Sequence, residues 1–269
     1  MEMWQGALLL GAGVIAGFMN VIAGGGSLLT MPVMRFIGMG GPTANGSNRV
    51  AILAQNIAAT WGFLRKGYSE LRLSLTLTAC ALPGTVLGAY LGTKLEGEWF
   101  DRVLAGVMIG VMLLMMRRES SSEEKKESET NGADTAAKRP PDAASQAPEI
   151  ERKRYIAGHV LMLAAGLYGG FIQAGVGFIM MAILHKVLGL DLVRVNMHKV
   201  FIVGAYTLVA LGIFAAQGQV AWWTGGLLAI GNAAGGYIGS NVAITKGERF
   251  IRITLNIVLA IMAIRLLFG

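Results

Sequence analysis

The sequence predicts an all-α polytopic membrane protein made of two inverted repeats, each a broken or re-entrant helix pair followed by three transmembrane helices. Three observations predict it. Charge is scarce: 14% of the 269 residues are Asp, Glu, Lys or Arg and 54% are hydrophobic, whereas a soluble domain keeps about 25% charged to wet its surface. The charges are also segregated, nearly half of them falling in 117–154 between long apolar stretches. Finally, five short motifs of the first half recur in the same order in the second.

The elements follow from length. A hydrocarbon core about 30 Å thick needs roughly 20 apolar residues in helix to cross it. Such runs occupy 4–23, 43–64, 72–94 and 99–116, then 155–173, 195–217, 220–244 and 249–268. The first run lacks the basic leader of a signal peptide and reads as a membrane segment. Two apolar pieces, 27–37 and 177–188, are too short to cross comfortably. Each follows a glycine cluster, Gly24-Gly25-Gly26 or Gly175-Val176-Gly177. A glycine costs about 1 kcal/mol against alanine inside a helix, so these clusters predict breaks.

The halves align residue by residue. Gly17-Phe18 matches Gly170-Phe171, Asn20 faces Gln173, and Ala23-Gly24-Gly25-Gly26 matches Ala174-Gly175-Val176-Gly177. Asn48-Arg49-Val50 then matches His198-Lys199-Val200, and Gly88 to Gly92 matches Gly235 to Gly239. Ordered recurrence of this kind predicts an internal duplication, 1–116 and 155–269, around the linker 117–154. Basic residues cluster in the connections around Arg65, Lys66 and Arg72, around Lys186 and Arg194, and around Lys246, Arg249 and Arg252. By the positive-inside rule, the linker is expected in the cytoplasm and both termini outside, in a multi-pass cell-membrane protein. An odd number of crossings per half then inverts the second repeat relative to the first. The linker runs from Ser120-Ser121-Ser122-Glu123-Glu124-Lys125-Lys126 to Pro140-Pro141, too polar to offset ordering entropy, and is expected to be disordered.

Several functions are excluded by the same inspection. The net charge of +7 is spread over segment ends rather than gathered on one face, so a nucleic-acid partner is not expected. The single cysteine, Cys80, rules out an intrachain disulfide or a thiolate metal cluster. Phosphate-loop, zinc-protease and nucleophile-elbow motifs are absent, so neither enzyme chemistry nor a cofactor or metal is expected. The carboxylates of the apolar halves lie at segment ends, which favours an anionic or neutral substrate over a cation pump. The expected partners are a small anion and the lipid bilayer, with homo-oligomerisation left open.

Polar groups set in apolar runs are the candidate site. In Asn20-Val21-Ile22-Ala23-Gly24-Gly25-Gly26-Ser27 the backbone leaves the helix, and a helix beginning at Ser27 is expected to present free N–H groups to an anion. Gln173, Gly175 and Gly177 are the second-half counterparts; close helix packing is the alternative use of such small residues. Asn45, Asn48 and Arg49, with Asn196, His198 and Lys199, form the second group. A guanidinium fork suits an oxoanion, whereas Arg49 or Lys199 snorkelling to headgroups is the bland reading. His198 could relay a proton. Gln55, Asn56, Thr85, Tyr206 and Asn232 are expected in interhelical hydrogen bonds, and His159 and His185 at interfaces.

At these motifs the chain resembles the sulfite exporter TauE/SafE family, also called TSUP transporters. Ala23 to Pro32, Ala44 to Val50 and Phe63-Leu64-Arg65-Lys66-Gly67 carry the likeness, which extends over about 5–116 and 155–268. The second half departs from the first, with Val176 for the central glycine and Lys199 for Arg49. The resemblance implies a secondary transporter of sulfite, an organosulfonate or a related small acid, with export the expected direction. A passive anion channel, or a scaffold acting through the linker, stays open as an alternative.

Overall fold

A computed structural model describes residues 3–95, 97–106, 110 and 151–268 of the chain. Among these residues the secondary structure is helical and contains no strand. The first half comprises α1 (Met3–Ile22), α2 (Ser27–Phe36), α3 (Gly41–Arg65), α4 (Leu71–Thr93) and a helical stretch at 97–106, α5. The second comprises α6 (Arg152–Phe171), α7 (Val176–Ala182) with a π-turn at Ile183–Val187, α8 (Leu192–Ala216) and α9 (Trp222–Phe268). Helix α9 is two helices end to end, because Gly247 (φ 67°, ψ −166°) breaks it. Most of the predicted linker, and most of the predicted segment 99–116 beyond 106, lie outside the described residues; Arg152, at the linker's end, already opens α6.

Among the described residues, four helices are long and apolar enough to cross a membrane: Trp4–Ile22, Leu71–Thr93, Leu192–Ala216 and Trp222–Gly247. Helices α3 and α6, with 25 and 20 residues, have the length but a lower mean hydropathy. The reason is visible in α3, which carries Asn45, Ser47, Asn48, Arg49, Gln55 and Asn56 on buried positions. Burial is inside-out relative to a soluble protein. In α4 the buried positions include Ser74, Thr78, Thr85 and Thr93, while Leu75, Val86, Leu87 and Leu91 are exposed. Such a surface suits hydrocarbon, and the chain is an all-α membrane protein.

Glycine decides which helices touch. Gly13 and Gly17 of α1 lie against the α9 backbone around Leu228 and Asn232; Gly166 and Gly170 of α6 lie likewise against Ala81 and Thr85 of α4. The reverse contacts match: Gly231 and Gly235 face Leu10 and Val14, as Gly84 and Gly88 face Leu163 and Leu167. Without a Cβ on either side the backbones approach closely, which is how helices associate where lipid removes the hydrophobic drive. The pairing is an exchange between halves, since α1 and α3 pack on α9 as α6 and α8 pack on α4. Helices α3 and α8 meet each other at the centre. The glycines with left-handed φ repeat the same division, pairing as 24 with 175, 38 with 189, 67 with 218 and 97 with 247.

Candidate functional site

Each half opens on a helix that stops inside the molecule. Helix α1 ends at Ile22, where Gly24 (φ 87°) turns the chain and α2 starts at Ser27. Helix α6 ends at Phe171, where Gln173 (φ 63°) and Gly175 (φ 74°) turn the chain into α7. Gln173 adopts a backbone region that costs a side-chain-bearing residue energy, and such outliers gather at functional sites. The two breaks touch. A Cβ on Gly24 would lie 2.5 Å from the Gly177 carbonyl carbon, and one on Gly177 would run into Gly24 Cα.

Beside this contact is a cavity of ≈ 10 Å³, lined by Asn20, Ser27, Asn56, Gln173, Val176, Gly177, Lys199 and Val203. That is room for about one water molecule. The lining joins both breaks to α3 and α8. Lys199 is 2% exposed; its Nζ donates to Val21 O at 2.7 Å and to Asn196 Oδ1 at 2.8 Å. Arg49 is fully buried. Its Nη1 donates to Gly169 O at 3.2 Å and to Gln173 Oε1 at 3.4 Å, and Nη2 to Asn45 Oδ1 at 3.4 Å and to Gly170 O. Its guanidinium lies 4.7 Å from the Phe214 ring centroid. Asn45 Nδ2 donates to Phe171 O at 2.8 Å.

The pattern has one electrostatic logic. The carbonyls held by Arg49 and Asn45 end α6, and the one held by Lys199 ends α1. A helix C-terminus carries unpaired carbonyls and partial negative charge, so a cation there is stabilised. Each half therefore supplies the cation that caps the other half's broken helix. Neither cation has a carboxylate partner among the described residues. Several buried donors are also unpartnered: Asn48 Nδ2, Arg49 Nε, Gln55 Nε2 and Asn196 Nδ2.

The residues singled out in the sequence divide into those on the cavity and those that reach it through a neighbour. Asn20, Ser27, Gln173, Gly177 and Lys199 line the cavity. Gly24 presses on Gly177, Arg49 reaches the cavity through Gln173, Asn196 through Lys199 and Asn45 through Arg49. Gly25 and Gly26 pack against the Phe178 ring and Ala16 O, and Gly175 makes the turn. Asn48 and His198 stand apart from the cavity lining. Asn48 Oδ1 accepts from Thr30 Oγ1 at 2.7 Å, and His198 Nδ1 lies 2.8 Å from Ser74 Oγ.

One expectation changes and one alternative drops out. The N–H groups of Leu28, Leu29 and Thr30 at the head of α2 are taken by Gly25 O and Gly26 O, at 3.0–3.2 Å, because the turn tightens there. Arg49 and Lys199 do not snorkel, because buried helix-end carbonyls hold their head groups. Of the other polar groups, Gln55 bridges helices through Asn20 Nδ2 (3.1 Å) and Asn232 Nδ2 (3.5 Å), and Thr85 bonds Gly166 O. Asn56 instead bonds Ile52 O within its own helix.

One cluster was not legible in the sequence. Glu70, at the head of α4, pairs with Arg194 Nε at 3.0 Å and lies 3.3 Å from His198 Nε2. Asp191 caps α8 by accepting from Val193 N and Arg194 N and lies 3.5 Å from Arg194 Nε. Burial alone would raise the Glu70 pKa, but the His198 contact and the Arg194 charge outweigh it and hold the carboxyl below its ordinary value. Nothing in the spacing of Glu70 and His198 signals this pairing; only the Asp before an apolar run signals the α8 cap.

Comparison with known proteins decides the lineage: the profile described as sulfite exporter TauE/SafE matches residues 9–266. The chain belongs to the sulfite exporter TauE/SafE family. Among its relatives is the probable membrane transporter protein ORF9 of Sinorhizobium sp, 27% identical over 97% of this chain and 92% of that protein. The probable membrane transporter protein YfcA of Escherichia coli K12 is 26% identical over 97% of this chain and 90% of its own length. A probable membrane transporter protein of Haemophilus influenzae is 24% identical over 91% and 88%. No solved structure gives a significant match. With the spanning helices, membership of the TauE/SafE family makes this chain a multi-pass membrane transporter.

Proposed function

We propose that the chain is a secondary transporter that exports sulfite or an organosulfonate by alternating access around the cavity between the two helix breaks. The observation that carries this reading is the pair of buried cations, Lys199 on that cavity and Arg49 one hydrogen bond from it through Gln173, with no carboxylate opposite them among the described residues. A buried charge left uncompensated is costly. An oxoanion held between the breaks supplies the negative charge these two cations lack. The inside-negative membrane potential favours outward movement of an anion by about 2.3 kcal/mol per charge per 100 mV. The cavity holds about one water, so binding requires the two breaks to part, which favours a carrier over an open channel. The exchanged helix pairing and the recurrent left-handed glycines support an inverted repeat, in which one exchanged helix bundle can rock against the other.

The test is sulfite and organosulfonate flux in proteoliposomes, comparing wild type with Lys199→Met. Wild type is expected to show saturable flux, and the folded variant flux close to that of protein-free vesicles, with a smaller fall in melting temperature than Arg49→Ala. Equal flux in a folded variant would remove Lys199 from the site, and non-saturating conductance would point to a channel.

A further inference from the structure

A second polar recess lies at the edge of the bundle, away from the cavity. It has a volume of ≈ 230 Å³ and is lined by Gly62, Arg65, Lys66, Tyr237 and Asn241, at the end of α3 and on α9. Arg65 and Lys66 are exposed, and among the described residues neither faces a carboxylate. Arg65 stacks on Trp61, with its Cζ 4.6 Å from the ring centroid, and Trp61 in turn lies 5.4 Å from the Tyr237 ring. Stacking fixes the guanidinium plane and leaves its N–H edge free to fork onto an oxyanion. Asn241, a lining residue, donates Nδ2 to Tyr237 O at 2.8 Å, and its Oδ1 is the acceptor it can offer a ligand.

The recess sits where a membrane surface must be. Helix α3 stops at Arg65 and the spanning helix α4 starts at Leu71, so the intervening turn lies at the end of the bundle. Trp61, 52% exposed, presents an amphipathic ring beside it, as aromatic side chains do at headgroup level. We propose that this recess is a binding site for the phosphodiester of an anionic phospholipid with a hydroxylated headgroup. The Arg65 fork and the Lys66 ammonium take the phosphate, Asn241 Oδ1 accepts from a headgroup hydroxyl, and the acyl chains run down the exposed apolar flank of α3, past Trp61 and Ile57. Charge complementarity selects an anionic lipid over a zwitterionic one. The site is independent of the transported substrate.

The test is native mass spectrometry of the full chain released from nanodiscs holding equal phosphatidylglycerol and phosphatidylcholine. Wild type is expected to retain phosphatidylglycerol selectively. Arg65→Ala/Lys66→Ala should retain it at least about tenfold more weakly, since each basic contact contributes to anionic-lipid affinity. Arg152→Ala/Lys153→Ala, which removes the same charge at an exposed site elsewhere, should behave as wild type. Equal retention by the two double variants, or equal retention of the two lipids, would overturn the proposal. A second arm adds inorganic phosphate to lipid-free protein in detergent. Saturable phosphate binding lost in Arg65→Ala/Lys66→Ala would make free phosphate the occupant and overturn the lipid assignment; its absence supports the lipid.

Discussion

Arg49 and Lys199 align in the sequences of the two halves and do different amounts of structural work. Arg49 holds Gly169 O and Gly170 O and stacks on Phe214, whereas Lys199 holds one helix-end carbonyl and lines the cavity directly. Truncating Arg49 strands the α6 carbonyls, and charge-assisted hydrogen bonds contribute roughly 1.5–3 kcal/mol. Arg49→Ala should therefore lower the thermal midpoint of the detergent-solubilised protein by several degrees, whereas Lys199→Met should cost transport more than stability. Calorimetry on the two variants side by side checks this, and the reverse order would place the structural cap on Lys199. Glu70 carries a pH prediction of definite sign. Its folded pKa lies below the ordinary value of 4.5, because the His198 contact and the Arg194 charge outweigh burial. Its contribution is thus fully present above that value and lost as pH falls through the lowered one. Wild type should melt above Glu70→Gln at neutral pH, and the gap should close as pH drops below 4.5. A gap that persists into acid would mean the Glu70 charge is not what holds the heads of α4 and α8 together.

At the scale of helices, the pairs α4 with α6 and α1 with α9 are held by reciprocal glycines, so matched substitutions should have matched effects. A Cβ on Gly88 would run into Leu167 O, and one on Gly235 into Val14 O. Overpacking a close contact typically costs about 1–3 kcal/mol. Gly88→Ala and Gly235→Ala should destabilise by amounts in that range and by similar degrees, as thermal unfolding in one detergent would report. A loss at one position and none at its counterpart would break the equivalence of the halves. Much of this level was legible in the sequence. Where the structure describes them, the apolar runs marked the helices to within a few residues, since length against bilayer thickness is a strong constraint, and the glycine clusters marked both breaks. Of the residues that line the cavity, Asn20, Ser27, Gln173 and Lys199 stand out in the sequence as polar groups in or beside apolar runs, and Gly177 as part of a glycine cluster. Asn56, Val176 and Val203 were not placed on the cavity, because which face of α3, α7 or α8 turns inward depends on neighbours distant in the chain. The capping role of Arg49 was hidden for the same reason: its partners, Gly169 and Gly170, are backbone carbonyls 120 residues away.

At the scale of the whole molecule, two of the many contacts between the halves differ in character. At the centre the two breaks press glycine on glycine, and at one end an ionic joint links the head of α4, in the first half, to the head of α8, in the second. A carrier that alternates must loosen one such joint while keeping another, since a packed interior switches between discrete arrangements rather than stretching. The ionic joint is the better candidate to open, because Glu70 and Arg194 are partly solvated, at 16% and 14% exposure, and water can replace their contact. Tethering it should then stop transport. In a Cys80→Ser background, Glu70→Cys/Arg194→Cys can be bridged by a short bifunctional disulfide-forming reagent. The unbridged double variant should still transport sulfite, which separates loss of the ion pair from loss of motion. The bridged form should lose flux, and reductant should restore it. Bridged protein that transports at the unbridged rate would show that the heads of α4 and α8 move as one body, leaving the glycine contact between the two breaks as the joint that opens.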